Sequence, residues 1–323
     1  MDVLTDLLDG VRARGALFRQ AVMSPPWGLR FAHGAPLTLV TMLRGEAWIV
    51  PAGSEAGEPV LLRPGDVAVA RGPAPFTVAD RPGTRPGYAV TDADYCSRAD
   101  GTEAGEEIVR GVRSCQVPGT CGVRDPGAPA LLLAGAYEGG AGRETGERLL
   151  RALPGLLVVP DDPGALRPLL DLIAAEVVRD RPGQRVVLDR FLDVLLVSVL
   201  RAWFDRAGAD APAWYGAMRD PVAGEALRLL HDEPSHPWTV AGLAAKVGVS
   251  RATLARRFAD RVGEAPMTYL TGWRLALAAD LLRETDATVG SIARRVGYAN
   301  AFALSVAFKR LYGTTPSAHR ASR

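Results

Sequence analysis

The feature that most constrains the fold is a repeat in the last third of the sequence. The eleven residues that begin at Thr239 align without a gap with the eleven that begin at Thr288, an offset of 49. Beyond the glycines of each copy the offset becomes 50, which pairs Phe258 with Phe308. The second copy therefore has one extra residue in its turn, and the chain is expected to build one small structure twice.

Each copy has the pattern of a helix, a sharp turn and a second helix. Thr239 or Thr288 can cap the first helix, and Gly248 or Gly297 can end it, because glycine adopts left-handed backbone without strain. Ser250 is the expected cap of the second helix in copy one. The second helices carry apolar residues at helical spacing: Leu254, Phe258 and Val262, then Leu304, Phe308 and Tyr312. This pattern is typical of a helix-turn-helix motif, whose second helix lies in the major groove of DNA.

The run between the copies, from Met267 to Arg283, is amphipathic, and it follows Pro266, which the first turn of a helix tolerates. A helix of about 18 residues spans roughly 27 Å, and successive major grooves on one face of B-DNA lie roughly 34 Å apart. We therefore predict a rigid helix that holds two recognition helices in adjacent grooves. An unrelated helical bundle would show similar apolar stripes, and the duplication favours the DNA-binding interpretation.

The predicted DNA contacts lie on the second helix of each copy and at its cap. They are Ser250, Arg251, Ala252, Thr253, Ala255, Arg256 and Arg257 in copy one, and Asn300, Ala301, Phe302, Ser305 and Lys309 in copy two. Arginine is the side chain best suited to bidentate contact with guanine. We therefore expect specificity to be concentrated in the half-site that copy one binds.

The block from about Val222 to Arg320 resembles the DNA-binding region of the AraC/XylS family of bacterial transcription regulators. Three motifs carry the resemblance: Ile292-Ala-x-x-Val-Gly-Tyr, Phe308-Lys-Arg-x-x-Gly and Thr315-Pro-Ser-x-x-Arg320. The resemblance implies a seven-helix domain that binds double-stranded DNA, in regulators that often contact RNA polymerase. This sequence departs from the family pattern at Val306, where arginine is common, and at His319, where tyrosine is usual.

Charge is divided unevenly along the 323 residues. Residues 219–323 contain 15 Lys and Arg against 9 Asp and Glu, whereas residues 1–218 contain 23 against 27. A basic C-terminal third behind an acidic body fits a nucleic-acid-binding domain attached to a domain with another partner. The chain opens without a secretory signal, and its longest apolar run is too short to cross a bilayer, so we expect a cytoplasmic protein.

The first half of the chain has the pattern of an all-β domain. After a short helix at 3–14, apolar runs alternate with turn signals at roughly 8–12-residue spacing. We predict consecutive antiparallel hairpins from strands at 37–43, 45–50, 59–62 and 67–70. Trp27-Gly-Leu-Arg-Phe and Leu62-Arg-Pro-Gly-Asp resemble the cupin-type sensor domain found in many regulators of this family, which implies a β-barrel.

Cupins also include metal enzymes, so a cupin-type metal enzyme with an appended DNA-binding domain is the alternative function. A catalytic cupin binds its metal through two or more histidines and a carboxylate, whereas this domain contains one histidine, His33. One imidazole does not make the usual first-row metal site. We therefore predict no metal, no cofactor and no enzymatic activity, and a barrel that binds a small-molecule effector of unknown identity.

Residues 92–130 are acidic and turn-rich, and we predict an exposed loop that contains Cys96, Cys115 and Cys121. The stretch between Cys115 and Cys121 can bend enough for a disulfide, and flanking arginines favour the thiolate, so a redox signal is one hypothesis. The other is that these thiols stay reduced and idle, as is usual in the cytoplasm.

The predicted fold class is α+β. The cupin-like sensor domain covers 1–160, a helical arm for dimerisation 161–206, a linker 207–219 and the DNA-binding domain 220–323. The apolar stripe from Leu188 to Trp203 can pack in its own domain or be shared with a second copy, and both interpretations stay open. The predicted function is a homodimeric, sequence-specific transcription regulator that responds to a small-molecule or redox signal.

Overall fold

The structure is a computed structural model that describes residues 3–8, 19–23, 25–52, 57–92, 95–98, 130–137, 143–161, 164, 166–177, 181–206 and 211–321. The chain divides into two compact units. The β-rich unit combines Arg12–Gly139 and Leu153–Asp210, and the helical unit combines Met1–Val11, Gly140–Ala152 and Ala211–Arg323. None of the helices in these ranges is long and apolar enough to cross a membrane.

The β-rich unit is built from two sheets. Its strands are β1 (Arg19–Met23), β2 (Gly28–Phe31), β3 (Leu37–Arg44), β4 (Ala47–Pro51), β5 (Val60–Leu62), β6 (Val67–Arg71), β7 (Phe76–Ala79), β8 (Tyr88–Asp92), β9 (Tyr95–Arg98), β10 (Ala130–Tyr137) and β11 (Leu156–Val159). One sheet has the order β1-β10-β3-β6-β11, and the other has the order β5-β4-β7-β2-β8-β9. The two-sheet arrangement confirms the predicted cupin-like architecture.

The space between the two sheets is filled by apolar side chains. Phe31 on β2 and Phe76 on β7 are register partners, and their rings stack at 4.8 Å between centroids. Met42 on β3 and Ile49 on β4 are fully buried in the same cluster, although they belong to different sheets. The residues of the barrel interior therefore form a packed core.

The prediction of consecutive hairpins is wrong for all but one pair of strands. β4 pairs with β5 as predicted, whereas β3 pairs with β6 and β10 in the other sheet. The chain changes sheet at Gly45 and again at Gly65, both of which have positive φ angles that favour glycine. The Asp66 carboxylate accepts the N–H of Arg63 at 2.9 Å and fixes the second of these turns.

Two helices, α3 (Arg167–Val177) and α4 (Gln184–Phe204), complete the β-rich unit. The Tyr137 hydroxyl donates a hydrogen bond to the Leu192 carbonyl at 2.7 Å. A Cβ at Gly135 would lie 2.9 Å from the Leu192 side chain, so a glycine there allows the close approach of α4. Most of the stripe is buried in this way: Leu188, Leu192, Leu195, Leu196, Val199 and Leu200. Of the two interpretations of this stripe, the structure shows packing within its own unit.

The prediction of an exposed loop is wrong at residues 95–98, which contain the first of its three cysteines. Cys96 lies in β9, where it is the register partner of Val90 on β8. The run Tyr95-Cys-Ser-Arg98 extends the sheet because an antiparallel partner is available one turn earlier in the chain. Cys115 and Cys121 lie outside the described residues.

The described helices of the helical unit come from three parts of the chain. They are α1 (Val3–Leu8), α2 (Glu144–Arg151), α5 (Ala213–Ala217), α6 (Ala223–Asp232), α7 (Val240–Val247), α8 (Arg251–Val262), α9 (Pro266–Glu284), α10 (Val289–Arg295), α11 (Ala301–Tyr312) and α12 (Pro316–Ala321). Helix α5 lies in the segment predicted as a linker, and its Tyr215 and Ala217 are buried. The linker prediction is therefore wrong from 213 to 217, because these apolar side chains pack into the folded unit.

Two polar clusters attach α1 and α2 to the other helices of this unit. His231, whose side chain is fully buried, hydrogen-bonds Asp6 on α1 at 2.6 Å and the Tyr269 hydroxyl on α9 at 2.7 Å. Asp280 on α9 accepts the Thr145 hydroxyl at 2.6 Å and the backbone N–H groups that begin α2. Burial raises the pKa of Asp280, and these donors oppose that shift.

Candidate nucleic-acid interface

The first helix-turn-helix consists of α7 and α8, and its turn geometry follows from three residues. The Thr239 hydroxyl accepts the N–H of Gly242 at 3.0 Å and caps α7. Gly248 ends α7 with φ +77°, and the Ser250 hydroxyl accepts the N–H of Thr253 at 3.1 Å. These contacts confirm the predicted caps and direct Leu254 and Phe258 of α8 into the core.

The second helix-turn-helix consists of α10 and α11 and repeats this geometry. Thr288 accepts the N–H of Ser291 at 3.2 Å, and the Asn300 side chain accepts the N–H of Ala303 at 2.9 Å. Gly297 has φ +86°, and a Cβ there would lie 2.8 Å from the Arg274 guanidinium. The extra residue of copy two is accommodated in the turn that ends at Asn300.

Helix α9 holds the two motifs together. Its 19 residues correspond to a length of about 28 Å. At its first half the Tyr269 ring packs edge-on against Phe258 of α8, with centroids 5.9 Å apart. At its second half Leu275 and Leu282 share one core cluster with Phe308 of α11. Both recognition helices are therefore fixed to one rigid element.

The outer face of α8 presents cationic and small side chains. Arg251, Ala252 and Arg256 are exposed, and Thr253 and Ala255 beside them are half-buried. Ser250 is exposed as well, although its hydroxyl is engaged as the cap. The structure thus brings most of the contacts predicted for copy one onto one surface.

Arg257 has a different environment from its neighbour Arg256. Its Nε donates to Asp220 at 2.9 Å, and Arg261 approaches the same carboxylate oxygen at 3.5 Å. The other oxygen of Asp220 accepts the N–H groups of Val222 and Ala223, which begin α6. Burial raises the pKa of Asp220, but these N–H groups and the Arg257 guanidinium outweigh it and hold the pKa below its ordinary value. Arg257 therefore ties α8 to α6, a role that the sequence pattern did not indicate.

The outer face of α11 is apolar in its first two turns. Phe302 is 78% exposed and Val306, one turn later, is 55% exposed. Ala301 and Ser305 are half-buried, and the Ser305 hydroxyl donates to the Ala301 carbonyl. The predicted contact set omitted Val306, although its spacing of four residues from Phe302 places it on the same face. Lys309 continues this surface toward the end of the helix and is exposed.

The alternative of a metal centre in the β-rich unit depends on His33. His33 accepts the N–H of Ala35 at 3.0 Å through Nδ1, and its ring lies edge-on to Phe31. Within the described ranges, no three His, Cys, Asp or Glu residues come together in a group that could hold a metal ion. These contacts give His33 a structural role in the turn after β2.

Comparison with known proteins identifies two families along the chain. Residues 2–205 match the sequence profile of the family described as Cupin, and residues 243–322 match the one described as Helix-turn-helix domain. A putative AraC-like transcription regulator of Streptomyces lividans is 34% identical over 99% of this chain and 98% of its own length. One of Streptomyces antibioticus is 32% identical, also over 99% of this chain and 98% of its own length.

A solved structure is similar to the C-terminal part of the chain. It is the DNA-binding domain of AdpA, a global transcriptional factor, in complex with a target DNA. It is 33% identical and covers 31% of this chain and 91% of its own, with a TM-score of 0.31.

Proposed function

Since this chain belongs to the AraC-like transcription regulators, with a cupin domain followed by a helix-turn-helix domain that binds double-stranded DNA, we propose that it reads its operator with both recognition helices of one chain. The observation that carries the proposal is that α8 and α11 are capped alike and packed on the single helix α9. We assign base contacts to Arg251 and Arg256 of α8, since arginine pairs with the O6 and N7 of guanine.

Four other predicted residues have supporting roles in this proposal. Thr253 and Ala255 lie beside the arginines on α8. Lys309 is proposed to contact phosphate, and such a contact positions the protein without specifying sequence. Arg257 acts through its ion pair with Asp220 and sets the angle of α8.

We propose that the chain acts as a homodimer through the outer face of α3 and α4. Val194 on α4 is 51% exposed and Leu172 on α3 is 56% exposed, and Val186 and Val187 are exposed as well. Large apolar side chains exposed together are common at protein interfaces. The buried stripe of α4 supports this face from behind and does not itself enter the interface.

The β-rich unit is proposed to receive the signal and to have no enzymatic activity. Its interior is packed, so a small-molecule effector there would bind by rearranging core side chains or at the rim of the sheets. Cys96, Cys115 and Cys121 remain the candidates for a redox signal. In either case the signal would change how the DNA-binding units of a dimer are placed on their half-sites.

The proposed site of action is the cytoplasm, where operator DNA and RNA polymerase are found. Contact with RNA polymerase would make the protein an activator, whereas occupation of a promoter alone would make it a repressor.

The test is to recover the DNA that the full-length protein selects from a random duplex library. We expect an enriched sequence in which each chain accounts for two conserved segments centred about 10 base pairs apart, since its two recognition helices enter adjacent grooves. Enrichment of no sequence, with equal affinity for every duplex, would refute sequence-specific regulation.

A further inference from the structure

Two exposed apolar side chains on α11, Phe302 and Val306, indicate contact with another molecule. Phe302 and Val306 are 78% and 55% exposed and lie one helical turn apart on the outer face. Side chains of this size are usually buried, because removing them from water is favourable. The packing of the domain does not explain the exposure of these two side chains at the start of a recognition helix.

The alignment of the two copies shows how these two positions differ from their equivalents in copy one. With the offset of 50 residues, Phe302 corresponds to Ala252 and Val306 corresponds to Arg256. Both helices bury the same face, with Leu254 and Phe258 in α8 and Leu304 and Phe308 in α11. Positions 302 and 306 therefore point outward as 252 and 256 do, but with an apolar surface where copy one has an arginine.

The charges around this pair indicate which partner covers it. Lys309 and Arg310 are exposed on α11, three and four residues after Val306, and Arg294 and Arg295 are exposed on α10. Exposed cations on the two helices of this motif fit the phosphates that border a DNA groove. In the major groove the only methyl group on a base edge is the 5-methyl group of thymine.

We propose that Phe302 and Val306 contact thymine 5-methyl groups in the major groove, so that copy two selects thymine where copy one selects guanine. The inference rests on the proposed function and adds the chemistry of the second half-site. Removal of one buried methyl group is expected to lower affinity about fourfold. Copy two thus contributes to specificity through apolar contact, although its polar side chains are few.

The experiment uses full-length protein and the duplex selected from the random library. Each thymine is replaced in turn by deoxyuridine, which removes only the 5-methyl group, and the dissociation constant is measured by fluorescence anisotropy. We expect one or two positions in the second half-site at which the wild type loses about fourfold in affinity. In Phe302→Ala and Val306→Ala these losses should disappear, whereas in Arg256→Ala they should persist.

Both apolar substitutions are at exposed helical positions where alanine is a good helix former, so we expect the variants to fold. The proposal is overturned if no deoxyuridine in that half-site weakens the wild type, or if Phe302→Ala keeps the loss. It is also overturned if Phe302→Ala leaves DNA affinity unchanged but alters the sedimentation of the protein, since another protein surface would then cover the patch. Loss of all sequence preference in the wild type would instead refute the proposed function.

Discussion

Arg256 and Arg257 are adjacent in sequence, and we predict that their replacement by alanine has different consequences. Arg256 is exposed on the outer face of α8, whereas Arg257 pairs with a carboxylate whose side chain is only 5% exposed. Arg256→Ala should therefore weaken specific DNA binding and leave stability unchanged. Arg257→Ala should lower stability, and it should weaken binding to specific and random DNA by a similar factor.

The expected losses of DNA discrimination and of stability follow from the environments of the two arginines. Loss of a bidentate contact with guanine removes about 1–3 kcal/mol of discrimination, or roughly 5- to 150-fold in affinity ratio. Breaking a fully buried ion pair costs about 3–5 kcal/mol. The Arg257 side chain is 40% exposed, and Asp220 keeps two backbone N–H donors and the nearby Arg261, so we expect about 1–2 kcal/mol.

The assay combines thermal unfolding with binding to the selected duplex and to a scrambled duplex of equal length. For a unit of this size, 1 kcal/mol corresponds to roughly 3–6 °C in melting temperature. A double-mutant cycle with Asp220→Asn checks the mechanism, because the effect of Arg257→Ala should shrink to near zero in that background. An equal loss of affinity for both duplexes in Arg256→Ala would show that this residue holds phosphate and would refute its base-reading role.

Three further predictions concern the dimer face, acid sensitivity and the second turn. Val194→Asp should give a folded monomer in sedimentation, whereas Leu192→Asp should unfold the β-rich unit; a Val194→Asp dimer would refute the proposed interface. Burial, followed by the positive charge of Arg283, lowers the pKa of His319, so stability should fall as pH drops below about 6.5, where the unfolded chain binds the proton more readily. In His319→Tyr this loss of stability at low pH should be absent, and identical pH profiles for the variant and the wild type would contradict the prediction. Gly297→Ala should lower the free energy of unfolding by more than about 1 kcal/mol, whereas Gly290→Ala should raise it by about 0.5–1 kcal/mol. The reason is that, of the two glycines, only Gly297 has left-handed backbone. Equal effects of the two substitutions in chemical denaturation would refute this.

The parts of the fold that the sequence predicted depend on short-range signals. A cap such as Thr239 bonds a backbone group three residues later, and Gly248 ends a helix through its own φ angle. Both are visible in one window of sequence, and the repeat gave a second, independent view of them. This is why both helix-turn-helix motifs and α9 were predicted with nearly correct bounds.

The parts that the sequence could not predict depend on long-range partners. β3 pairs with β10 across about 90 residues, and no local pattern distinguishes that pairing from a hairpin with β4. Arg257 has the same local sequence signature as Arg256, and only the position of Asp220, 37 residues earlier, separates their roles. Asp280 likewise contacts Thr145 at a separation of 135 residues.

We propose above that one chain places α8 and α11 in adjacent major grooves. Hydroxyl-radical footprinting of the full-length protein on a duplex that binds one chain tests it most directly, with stoichiometry checked by native mass spectrometry. We expect two protected segments on one face of the duplex, about 10 base pairs apart, with the segment at the guanine-containing half-site lost in Arg256→Ala. A single protected segment, or two at an unrelated spacing, would contradict it.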